Sequence, residues 1–142
     1  MFLIEVLFAF FITISFAILF NVRGNLIFFS GIGGGISWFF YLLLVEKGYS
    51  YSTCYLLATA VTAFYSEIMA KKLKTTVPTL LIAALIPMAP GGGVYFTMLH
   101  LIQNRYQEFM LKGMETSIIA GSMALGIILV TTCFRIFHFT KK

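Results

Sequence analysis

Charge is what this sequence has least of. Only 11% of its 142 residues are Asp, Glu, Lys or Arg, against roughly a quarter in a water-soluble domain. With 60% hydrophobic residues and a mean hydropathy of +0.96, that shortage excludes a soluble fold. Cysteine and histidine are scarce as well. Cys54, Cys133, His100 and His138 show no metal-ligand or redox spacing, so the sequence predicts no metal site and no cofactor. The two cysteines are expected near opposite membrane faces, which argues against an internal disulfide. Gly31 to Gly35 is not a nucleotide loop, because no Gly-Lys-Ser/Thr follows it and no strand precedes it. No nucleophile–base pair lies within the apolar segments, so no catalytic residue is assigned and the chain is not read as an enzyme. Alternation of apolar and polar residues is missing too, which argues against a membrane β-barrel. No Lys or Arg precedes the first apolar run, and it lacks a small-residue cleavage site. It is therefore read as a helix of the mature protein rather than as a signal peptide.

What is present is a set of long, continuous apolar runs. They predict an all-α polytopic membrane protein, with one transmembrane domain over residues 1–142 and about five spanning helices. Segment one covers about Phe2 to Phe20, with Glu5 as its single charge, near one end where it reaches the interface. A tight turn over Asn21 to Asn25 follows. Segment two covers about Leu26 to Val45, and its Gly31 and Gly35 have the spacing of small-residue helix contacts. Segment three covers about Thr53 to Ala70, is rich in Ala, Thr and Ser, and leads into Lys71, Lys72 and Lys74. Segment four covers Val77 to Ile102. Gln103 to Glu115 reads as a polar connection. Segment five covers about Thr116 to Phe137, and its Gly121, Ser122 and Gly126 are read as helix contacts.

Segment four carries the oddest feature, Pro87-Met88-Ala89-Pro90-Gly91-Gly92-Gly93. Proline removes a backbone donor and clashes with the preceding turn, and it biases the residue before it away from the helical region. Helix four is therefore predicted to be interrupted at Pro87–Gly93. Backbone groups freed in a membrane must be buried in protein or line a polar cavity. The expected outcome is a half-helix starting near Gly91, with amide donors and a positive dipole end aimed at a substrate carboxylate. The candidate substrate-binding residues are Pro87, Pro90, Gly91, Gly92, Gly93 and Tyr95. Glu67, an ionisable residue in a spanning helix, is the candidate coupling residue. An i,i+4 ion pair with Lys71 is its competing role.

Orientation follows from Lys and Arg. If segment four crosses, Arg23, Lys71, Lys72, Lys74, Arg135, Lys141 and Lys142 share one face, and Lys47, Arg105 and Lys112 the other. If it re-enters, the division is six against four. The crossing arrangement has the stronger bias, and places the N-terminus outside and the C-terminus in the cytoplasm. The net charge of +5 is thereby a topology signal and not a nucleic-acid footprint.

Ser66 to Thr75, followed by Leu85-Ile86-Pro87-Met88-Ala89-Pro90-Gly91-Gly92-Gly93-Val94-Tyr95, resembles the threonine/serine exporter family. The similarity is greatest to its five-helix small-subunit proteins from Gram-positive bacteria. Gly35 to Leu43, Tyr95 to Leu99, and Ile119 to Gly126 fit as well. The resemblance implies one half of a ten-helix exporter of amino acids or small carboxylates in the bacterial plasma membrane. A larger homologous subunit supplies the other half, and proton coupling is implied. The alternative is a non-transporting scaffold whose partner holds the substrate site. Relatives often carry an extra Pro-Gly where this chain has Ala83-Ala84.

Overall fold

The computed structural model describes residues 2–139; Lys141 and Lys142, counted in the charge distribution, lie outside them. Among the described residues all regular structure is helical. The elements are α1 (Phe2–Leu19), α2 (Leu26–Glu46), α3 (Tyr51–Leu73), α4 (Val77–Leu85), a 3-10 turn (Ile86–Met88), α5 (Gly91–Ile102) and α6 (Tyr106–Phe139). Helices α1, α2, α3 and α6 are each long and apolar enough to cross a membrane, and α4 with α5 forms a fifth, bent pair.

Four helices stop by the same device. Asn21, Gly48, Lys74 and Asn104 take left-handed backbone angles after α1, α2, α3 and α5. In each case the next amide donates to a carbonyl five residues back: Val22 to Ala17, Tyr49 to Leu44, Thr75 to Ala70 and Arg105 to His100. This closes carbonyls that would otherwise be orphaned. The first turn is ended by Asn21, not by Gly24, the glycine signal read from sequence.

The chain reverses direction from each span to the next, α4 and α5 counting together as one. Thr13 and Ile14 of α1 meet Gly34 and Gly31 of α2, and Tyr65 of α3 reaches Phe29 of α2. Gly33 and Ser37 of α2 face Ala84 and Met88, so α2 and segment four run the same way. Gly126 of α6 sits on Leu56 to Ala60 of α3, and the Phe134 and Phe64 rings meet edge to face. Helices α3 and α6 are thus parallel to each other. The stretch between them has one net direction, although it bends by 57° at the break.

The glycines of α2 serve two sides. Gly31, Gly34 and Gly35 admit α1, whereas Gly33 admits α4 and the Tyr65 ring. Close helix approach of this kind is how apolar helices gain packing where water supplies no drive. Buried Thr13, Thr59 and Thr62 donate to the carbonyl four residues back, which satisfies their hydroxyls inside the apolar bundle. Gly126 makes the contact expected of it, but Gly121 is exposed and meets nothing.

One segment differs from its sequence reading. Gln103 to Glu115 is not a polar connection: only Gln103, Asn104 and Arg105 link α5 to α6, and the rest is the opening of α6. Gln107, Glu108, Met110, Leu111, Lys112, Met114 and Glu115 are good helix formers, and polarity alone does not prevent a helix. Arg105 and Glu108 pair at its start, and His100 Nδ1 lies 3.2 Å from the same carboxylate, tying α5 to α6.

Candidate functional site

The site begins at the interruption. Leu85 ends α4, and Ile86-Pro87-Met88 tightens into a 3-10 turn. Pro90 (φ −76°, ψ 46°) forms an inverse γ-turn, with the Gly91 amide donating to Ala89 at 2.7 Å. The Val94 amide donates to Pro90. Between them, the amides of Gly92 and Gly93 have no backbone acceptor among the described residues. They are the free donors expected at a helix start. The turn is held from α2, where Ser37 Oγ donates to Met88 Sδ at 2.7 Å. Met88 is itself buried with Ala58 and Met123.

A cavity of about 360 Å³ opens over this turn. Its floor is Pro87, Met88, Pro90, Gly92 and Gly93. One wall is aromatic, with Trp38 and Tyr41 from α2 and Tyr51 and Tyr55 from α3. The Trp38 and Tyr41 rings are 5.1 Å apart and those of Tyr41 and Tyr55 4.8 Å. The opposite wall is α6, with Lys112, Glu115, Thr116 and Ile119. Gly93 decides how close that wall comes. A Cβ there would strike Thr116 Oγ1, so only glycine lets α6 approach the break. Thr116 bonds the Lys112 carbonyl at 2.7 Å, and Lys112 Nζ lies 2.8 Å from Glu115 Oε2.

Of the residues singled out from sequence, Pro87, Pro90, Gly92 and Gly93 share this cavity. Gly91 and Tyr95 do not line it, and the Tyr95 side is 62% exposed. Helical geometry explains this. Each residue turns about 100°, so positions two away from Gly93 fall on nearly the opposite face. Thr97, four residues on, returns to the α6 side and is buried. Glu67 is elsewhere. It lines a separate cavity of about 750 Å³ between α3, α4 and α6, with Lys71, Arg135 and apolar Val77, Leu81 and Ile127. Among the described residues no ion pair joins Glu67 to Lys71. The Lys71 ammonium instead sits 4.7 Å from the centre of the Phe134 ring.

Sequence reasoning missed Lys112, Glu115 and Thr116, because it placed the first two in a connection and the third at a helix start. Helix-forming residues and i,i+3 opposite charges were the available signal. In the structure Glu5 lines a smaller cavity of about 180 Å³ with Trp38 and Pro87, on the other side of the same break.

Chemically the arrangement offers amide donors, one cation, one anion and aromatic faces around a small polar space. That suits binding of a small charged molecule. No curated protein and no solved structure matches the chain. The family described as Threonine/Serine exporter, ThrE, does match it, over residues 5–133. That span takes in every helix from α1 to most of α6, the interruption and both walls of the cavity, and so this multi-pass membrane protein belongs to the threonine/serine exporter family.

Proposed function

We propose that the chain is the small subunit of a secondary exporter in the bacterial plasma membrane. It works with a larger subunit of the same family and carries threonine, serine or a related small carboxylate outward. The observation that carries this reading is the cavity at the interruption, where unpaired amides of Gly92 and Gly93 begin a half-helix. A broken helix buried among other helices is how transporters place free backbone groups at a binding site. The positive end of the α5 dipole favours a carboxylate there.

The drive is an ion gradient, because the chain carries no nucleotide-binding loop. Proton coupling is assigned to Glu67, at the cytoplasmic end of α3. Five spans give one wall of a pathway, and exporters of this kind are completed by a second repeat. The seven-to-three division of Lys and Arg supports an outside N-terminus and a cytoplasmic C-terminus.

Gly92→Leu tests the reading. A Cβ at Gly92 has nothing within 4 Å, so the new side chain grows into the cavity rather than into backbone. The variant is expected to accumulate normally and co-purify with its partner. Export of labelled threonine is expected to fall at least about tenfold, the loss expected for one blocked charge-assisted hydrogen bond. Normal export from an assembled complex would move the substrate site to the partner and leave this chain a scaffold.

A further inference from the structure

The charged wall of the cavity narrows the kind of substrate. Lys112 and Glu115 pair at 2.8 Å on one turn of α6, and their side chains are 37% and 55% exposed. An exposed i,i+3 pair contributes little to stability, so both charges are available to a ligand. Both residues line the cavity, and so do the free amides on one side and the Trp38, Tyr41 and Tyr55 rings on the other. The ammonium and the amides attract an anion. The carboxylate and the ring faces attract a cation. The two demands stand within one space of about 360 Å³, the size of a small metabolite and its water.

We propose that Lys112 and Glu115 are the specificity-determining pair of this cavity, and that they select a zwitterionic α-amino acid over a dicarboxylate. The ligand carboxylate takes Lys112 and the amides of Gly92 and Gly93. Its ammonium takes Glu115 and the aromatic wall. The internal ion pair opens on binding and re-forms on release, so neither charge is left unpaired in either state. A dicarboxylate sets its second negative charge against Glu115. A ligand without a carboxylate leaves Lys112 uncompensated. This inference rests on the exporter reading above and concerns the same cavity.

The test uses cells producing this chain with its exporter partner, loaded with labelled threonine. Three competitors are added: succinate, the 2-hydroxy acid that lacks the ammonium, and the amino alcohol that lacks the carboxylate. With the wild-type chain, unlabelled threonine is expected to compete at least tenfold better than any of the three. Lys112→Gln is expected to raise the KM for threonine about tenfold or more and to let the amino alcohol compete. Glu115→Gln is expected to raise it similarly and to let succinate and the hydroxy acid compete. The doubly exchanged chain, Lys112→Glu with Glu115→Lys, keeps an ion pair but reverses its direction relative to the glycine amides. Its export is expected to stay at least tenfold down at equal membrane abundance. Wild-type export and an unchanged competitor profile in the single variants, or full export by the exchanged chain, would make the pair structural and overturn the inference. Preference of the wild type for succinate would overturn it too, while leaving the exporter reading intact. Movement of neither compound would remove the exporter reading itself, and the inference with it.

Discussion

Single glycines carry much of the packing, and they are not interchangeable. Gly126 and Gly121 lie five residues apart on α6. A Cβ at Gly126 falls onto the Leu56 carbonyl oxygen and the Thr59 hydroxyl of α3, whereas one at Gly121 meets nothing within 4 Å. Gly126→Ala must therefore push two helices apart, at a cost of about 1–3 kcal/mol. Gly121→Ala is expected to be neutral, or to stabilise by up to about 1 kcal/mol through helix propensity. Thermal unfolding of the two variants in detergent checks this: the first lowers the Tm and the second does not. The same contrast separates Gly93 from Gly92 at the break. The former makes room for Thr116, and the latter faces open cavity. Sequence spacing did not distinguish the members of either pair, because what a Cβ would strike belongs to another helix.

At the scale of elements, the interruption was legible from sequence because its causes are local. Proline at Pro87 and Pro90 forbids the continuing hydrogen bonds whatever surrounds it. The early start of α6 was not legible in the same way, since a polar amphipathic turn and a loop have similar composition. Helix α3 has a different lesson. Its small residues let α2, α4 and α6 crowd it, and its last turns bring Glu67 to a cavity far from the break. If coupling is carried there, substrate site and coupling site are separate, at two levels of the bundle. Glu67→Gln is expected to insert and assemble normally but to lose proton-coupled export. Uptake of protons by proteoliposomes alongside threonine counterflow measures this. A variant with unchanged coupled transport ends the assignment.

For the whole molecule, direction is the decisive property. Helices α3 and α6 are parallel, so the chain between them makes one net traverse in spite of its 57° bend. Val77–Met88 and Gly91–Ile102 each hold twelve residues, about 18 Å of helix at 1.5 Å per residue. Laid end to end with that bend they reach about 32 Å, close to the roughly 30 Å of a bilayer core. A cysteine placed at Gln103 is therefore expected to react with an impermeant thiol reagent from the outside, and one at Lys72 from the cytoplasm. Labelling of both from the same side would show that segment four returns to the face it left.

Composition and local order by themselves determined that this chain is a helical membrane protein with a broken fourth segment. Solvent preference and backbone chemistry act residue by residue, and so they can be read residue by residue. Tertiary structure alone decided which residues meet at the break. It brought the Trp38, Tyr41 and Tyr55 rings, the glycine amides and the Lys112–Glu115 pair from four separate stretches to one cavity, and it turned Tyr95 away. It decided this because helix rotation and close packing at glycines set those meetings, and both depend on partners distant in the chain.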